Sequence, residues 1–216
     1  MSADARLAIL SRVRQAQVRA YIPEAKPGLP ERLAYPALGP EARLDKLVEE
    51  FRLLDVEVFV ESTGEDVRKR VCAFTAGKAI LSWDAACLPY GVGDCLRGEK
   101  VYYGGDSKED QGKAEVGLTG CENALAETGT LAMTSGPGRP RTASLMPMTH
   151  VAVIRREDIL LGMGEFFRKF REAADRGGMG LPYVVFITGP SRTADIELSL
   201  TLGVHGPGRL VAVIGP

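Results

Sequence analysis

Two segments of this chain gather residue types that do chemistry. The first runs from Gly117 to His150. It holds Gly-Leu-Thr-Gly at 117–120, Glu-Thr-Gly-Thr at 127–130 and one of only two histidines. The second is Thr188-Gly189-Pro190-Ser191-Arg192-Thr193-Ala194-Asp195-Ile196-Glu197, where an apolar run passes through a Gly-Pro turn into hydroxyls and a guanidinium. Read as strand, loop and helix start, Ser191, Arg192 and Thr193 offer free backbone N–H groups beside a cation, which favours a phosphate or carboxylate. The same Ser191 or Thr193 could simply cap the helix, with Glu197 closing the box or facing solvent. Asp195 and Glu197 lie two apart and so on different helix faces, which leaves at most one for a ligand.

In the first segment, Thr119 and Gly120 close one strand, and Gly117 and Gly120 would admit a ligand close to the backbone. Thr128 and Gly129 follow Glu127. That acid stands among alanine, threonine and glycine. Partial burial there would raise its pKa and suit proton transfer or nucleophilic attack; otherwise the carboxylate fixes a turn. His150 begins a strand, and His205 sits in the tight Gly-Val-His-Gly-Pro loop. Each reads either as a satisfied structural histidine or, for His205, as a group within reach of a site. Arg139 and Arg141 either meet an anion or lie in solvent. Cys121 reads as starting a helix, where a thiolate is stabilised, against a plain buried thiol.

The elements that must position these groups alternate along the chain. Residues 4–20 have helical spacing, with Ala5, Ile9, Val13, Ala16 and Ala20 on one face. Five prolines between 22 and 40 exclude a helix or central strand and mark an extended arm. Residues 1–40 are therefore read as helix plus arm, and 41–216 as an α/β domain. A helix starts at Pro40-Glu41, and another covers 63–76. Strands are expected at 56–60, 78–83, 101–103, 116–119, 129–134, 151–154, 183–188 and 210–214. The 183–188 strand is expected to be buried on both faces. A loop is expected at 84–99, a short helix at 122–127, a long helix at 156–175 and a further one over 194–200. The pattern predicts an open, mixed, largely parallel sheet flanked by helices. In such a fold ligands sit outside the carboxyl ends of the strands, at a switch point.

A chain of 216 residues with net charge -1 and a quarter of its residues charged fits a globular α/β domain. It carries no electrostatic footprint for nucleic acid or anionic membrane. No apolar run approaches bilayer length, and the N-terminus lacks the pattern of a secretory signal, so a soluble cytoplasmic protein is expected. Cys72, Cys87, Cys95 and Cys121 match no zinc or iron–sulfur spacing and read as reduced, mostly buried thiols. No metal site is expected. No Walker loop or dinucleotide fingerprint is present, and Gly91-x-Gly93 is a turn.

Gly117-Leu-Thr-Gly-Cys121, Ala126-Glu-Thr-Gly-Thr-Leu131, Ser144-Leu-Met-Pro147 with Thr149-His150, and Ser191-Arg-Thr-Ala-Asp-Ile-Glu197 with Gly203-Val-His-Gly-Pro207 resemble the LUD domain, and more closely the lactate-utilization protein C family. The resemblance covers roughly residues 40–216 and is strongest after 115. It implies a fold like that of ribose-5-phosphate isomerase, glucosamine-6-phosphate deaminase and the CoA transferases. It also implies a role beside iron–sulfur partner proteins that oxidise L-lactate to pyruvate, the clusters being held by the partners. The expectation is a non-redox subunit that binds a small anionic ligand or a cofactor of unknown identity, with no cluster or zinc of its own. The competing reading is a stand-alone isomerase, ligase or acyl transferase using Glu127.

Overall fold

The computed structural model of the protein describes residues 3–20, 38–175, 183–193 and 201–216. The chain divides into two compact units, Met1–Ala37 and Leu38–Pro216. In the first, α1 (Ala3–Arg19) is a single helix with Leu7, Ile9, Leu10, Val13 and Val18 exposed.

The second unit begins with α2 (Pro40–Leu53), whose proline at the first turn and Glu41 behind it suit a helix start. Leu44, Leu47 and Phe51 form its buried stripe. Next come β1 (Glu57–Val60) and α3 (Gly64–Thr75). Thr63 caps α3: its hydroxyl accepts from the Asp66 N–H at 3.1 Å and donates to the Asp66 carboxylate at 2.6 Å. After β2 (Ala79–Ser82) the expected loop is instead two 3₁₀ segments, Ala85–Cys87 and Pro89–Leu96. Then follow β3 (Lys100–Tyr102), α4 (Lys108–Gln111), β4 (Val116–Gly120), β5 (Asn123–Leu125), β6 (Thr130–Thr134), α5 (Thr142–Leu145) and β7 (Thr149–Arg155). A 3₁₀ turn at Arg156–Asp158 leads into β8 (Ile159–Leu160) and α6 (Met163–Asp175). The chain closes with β9 (Val184–Thr188), β10 (Arg192–Thr193), β11 (Thr201–Leu202) and β12 (Arg209–Gly215).

Six strands form one parallel sheet in the order β1-β12-β7-β4-β2-β3. Its inner strands β12, β7 and β4 are buried almost throughout, which is why they read as continuous apolar runs. A smaller sheet, β8-β5-β6-β9, is mixed, with β5, β6 and β9 antiparallel. Alternation sorts its side chains. Ala124, Leu131 and Met133 join the main core, whereas Leu125, Ala132, Val184 and Phe186 pack with Phe166 of α6. The molecule is thus an α/β fold with a dominant parallel sheet and a second sheet under its own helix. Arg43 of α2 forks onto both oxygens of Glu165 in α6, each at 3.1 Å.

Four expectations are corrected here. The helix expected at 122–127 is β5, because alternating Ala124, Leu125 and Ala126 bury on both faces of the small sheet. The helix expected from 156 begins only at Met163; Ile159 and Leu160 pair with β5 as β8 and Gly162 breaks the helical run. The strand at 183–188 is half-buried and lies at the edge of the small sheet. Cys72 and Cys95 are joined by a disulfide rather than being two free thiols. Packing of α3 against the second 3₁₀ segment brings their Cα atoms to 4.9 Å. The helix expected over 194–200 lies outside the described residues. Among the described residues no helix is long and apolar enough to cross a membrane.

Candidate functional site

Strand order locates the crevice. After β2 the chain moves outward to β3; after β4 it moves the other way, to β7 and then β12. Neighbouring β2 and β4 are therefore the switch point, and side chains just beyond their carboxyl ends share one crevice. A cavity lies there. Trp83 and Cys87 reach it from the end of β2, Gly120, Cys121 and Glu122 from the end of β4, and Arg155 and Asp158 from the end of β7. Arg139, on the turn after β6, closes it.

Arg139 is held from several sides. It donates to the Glu122 carboxylate at 2.8 Å and to the Thr134 hydroxyl at 3.3 Å, and its guanidinium lies 5.4 Å from the Trp83 ring centroid. Burial opposes its charge, but hydrogen bonds to Cys87 and Glu122 prevail and hold its pKa above the ordinary value. Asp158 lies between two cations at longer range, Lys169 at 3.8 Å and Arg155 at 3.9 Å. Burial outweighs both and raises its pKa, so its carboxyl keeps a proton at higher pH than an ordinary aspartate. Two guanidinium groups, one fixed and one exposed, thus share a cavity with a carboxyl suited to carrying a proton. The arrangement can hold a small carboxylate and exchange a proton with it. A second, more open cavity is also lined by Arg139, with Asp84 and the glycines Gly104, Gly105, Gly136 and Gly138.

Nothing around Cys121 favours a thiolate: no helix starts behind it, its thiol donates to the Asn123 carbonyl at 3.1 Å, and desolvation of this half-buried thiol, helped by Asp158 and Glu122, pushes its pKa well above the usual value.

The residues singled out in the sequence fall into three places. Gly120 lines the switch-point cavity. Glu127, Thr128, Gly129 and Arg192 lie elsewhere. Glu127 donates its N–H to the Leu161 carbonyl at 2.9 Å, and its carboxyl lies so close over Gly162 that a Cβ there would collide with it. The Thr128 hydroxyl meets Thr130 at 2.7 Å, and Thr130 meets Thr188 at 2.8 Å. Gly129, at φ 58°, packs against Leu54 and Glu50 at the end of α2. Arg192 donates to the Leu54 carbonyl and the Asp55 carboxylate, both at 2.7 Å. Instead of opening a helix, Arg192 and Thr193 form β10 and pair with β11. The third group surrounds His150, which lies within 2.8 Å of the Thr119 hydroxyl and shares a further cavity with Ser191 and His205. Asp195 lies outside the described residues. The sequence reading passed over Trp83, Cys87, Glu122, Arg155 and Asp158. Their signal was position, directly after apolar strands, and for Asp158 it was hidden inside a helix that starts later.

A model of the LUD domain matches residues 104–214, just over half of the chain. The chain belongs to the LUD domain family. The matched span carries every cavity residue from Gly120 to Asp158, while Trp83 and Cys87 precede it. Lactate utilization protein C of Geobacillus sp. (strain WCH70) is 32% identical over 170 residues, covering 72% of this chain and 70% of that protein. Lactate utilization protein C of Bacillus subtilis (strain 168) is 32% identical over 167 residues, covering 71% and 70%. Among solved structures, a DUF162 family protein from Deinococcus radiodurans superposes with a TM-score of 0.65 over 83% of this chain and all of that one. At 20% identity that likeness concerns the fold alone.

Proposed function

We propose that this protein serves lactate utilization, as its relatives are named to do, and that it binds a small carboxylate in the switch-point cavity. The observation that carries the site is the meeting of Arg139, Arg155 and Asp158, whose pKa burial raises, at the carboxyl ends of the sheet. Arg139 and Arg155 take the carboxylate, and Asp158 hydrogen-bonds the neighbouring hydroxyl or keto oxygen. In this reading the chain is a non-redox subunit working in the cytoplasm beside iron–sulfur proteins that remove the electrons. In the same reading residues 1–40 are a unit of their own, followed in sequence by an α/β domain spanning 41–216. The rival reading, a stand-alone transferase or isomerase using Glu127, gains no support from geometry, since Glu127 lines neither the switch-point cavity nor its neighbour.

The test is genetic and biochemical. A host strain lacking the protein should fail to grow on L-lactate and grow normally on glucose. The wild-type gene should restore growth, and Asp158→Asn should not. Tagged protein captured from lactate-grown cells should bring iron and acid-labile sulfide with it. Undiminished growth of the deletion strain on lactate would contradict the role, and an iron-free capture would contradict the subunit assignment.

A further inference from the structure

A third cavity lies where the amino ends of β7 and β12 meet the edge of the small sheet. His150 forms part of its wall and is only 1% exposed. Its Nε2 is engaged with Thr119 Oγ1, but its Nδ1 has no hydrogen-bond partner among the described residues. The fold sets this up through Gly117, which stands beside His150 in the register. A Cβ at 117 would collide with the Ala143 carbonyl, so its absence lets α5 lie directly on β4 and brings Ser144 and Leu145 to the cavity. Leu145, Val185 and Leu210 make the wall largely apolar, and Ser191 adds a hydroxyl. No lysine, arginine or carboxylate is among the described residues that line it. Among the described residues the edge strand β9 pairs only with β6, and its consecutive residues 185–187 line the cavity, so main-chain groups without a described strand partner border it.

We infer that this cavity is a second binding site, for an uncharged and largely apolar small molecule whose carbonyl, amide or hydroxyl group pairs with Nδ1 of His150. A buried imidazole nitrogen left unpaired is destabilising, and a ligand of this kind satisfies it. An anion would enter without a cation to meet it. Burial pushes the His150 pKa down to about 3, so the ring stays neutral and its tautomer can donate to a carbonyl or accept from a hydroxyl. Apolar walls with a few convergent polar groups are the usual make-up of such sites. His205 stands exposed at the rim, where it can contact an entering molecule. The inference stands apart from the carboxylate site, which is lined by other residues.

The experiment uses the full chain labelled with ¹⁵N-histidine and titrated with benzamide, phenol, cyclohexanone and, as the charged counterpart, benzoate. At least one neutral probe should move the Nδ1 resonance of His150 saturably, with Kd of about 1 mM for molecules this small. Benzoate should bind at least about tenfold more weakly than benzamide, its neutral counterpart. Leu145→Trp, which fills the cavity from its mouth, should abolish the shift. The inference is overturned if no neutral probe moves the resonance, if benzoate moves it as readily as benzamide, or if a folded Leu145→Trp chain still responds.

Discussion

Asp158 is half-buried and His150 buried, and desolvation moves them in opposite senses because the neutral form is the acid in one and the base in the other. For Asp158 the raised pKa keeps the carboxyl uncharged higher on the pH scale. When Asp158 is protonated, a carboxylate ligand meets Arg139 and Arg155 with one fewer negative charge beside them, Glu122 remaining paired to Arg139. Affinity for such a ligand should therefore rise as pH falls through the Asp158 pKa, with a proton taken up on binding. Asp158→Asn, measured by calorimetry in buffers of different ionisation heat, should bind with no proton uptake. A slope equal to the wild type would assign the proton to another group. For His150 the effect falls on stability. The unfolded chain takes up a proton near the ordinary pKa of 6.5, while the folded ring resists until about 3. The contribution is intact above 6.5 and is lost progressively as pH falls toward 3. Between pH 6.5 and 5 the cost is about 2 kcal/mol. His150→Gln, which cannot charge, should show a flatter acid limb in urea unfolding at pH 7 and pH 5. An unchanged acid limb would mean that His150 is not the group responsible.

At the level of elements, the disulfide between Cys72 and Cys95 ties α3 to the second 3₁₀ segment across a separation of 23 residues. A closed loop of that size contributes about 3 kcal/mol through the unfolded chain. Reductant, or a Cys95→Ser substitution, should therefore lower the midpoint of thermal unfolding by roughly 10 °C. A midpoint unmoved by reductant would show that the pair carries no stability. The elements that were legible in sequence are those whose burial pattern is simple. α2 and α3 show their stripes and the inner parallel strands are plainly apolar. The misread ones lie in the small sheet. Ala-rich β5 has no strand propensity to display, and the apolar pair of β8 falls in helical phase with Phe166 and Phe170. Ser191 to Thr193 read as a helix start because hydroxyls beside a cation suit a cap, whereas pairing with β11 decides their conformation.

For the molecule as a whole, strand order creates the carboxylate crevice, and order is what a sequence conveys least. Gly120 could be named because glycine at the end of an apolar strand is visible locally. Trp83 lies more than fifty residues before Arg139 and Asp158 and meets them only because β2, β4 and β7 lie side by side. His150 of the first segment and Ser191 and His205 of the second line one cavity, and no lysine or arginine is among the described residues of its wall. The carboxyl ends of the same sheet carry the cationic cavity. The two cavities differ in charge as well as position, so substitutions in one should leave binding in the other intact.

The central claim is that the switch-point cavity holds a small carboxylate through its guanidinium groups. The most direct test is titration calorimetry of the purified full chain with L-lactate and with pyruvate, comparing wild type with Arg155→Ala. Arg155 is exposed and its only ion pair among the described residues is at 3.9 Å, so its removal leaves the packing alone. Saturable binding of at least one of the two acids, weakened about tenfold or more by the substitution, is the predicted result. Absence of binding by the wild type, or equal affinity in the two proteins, would contradict it.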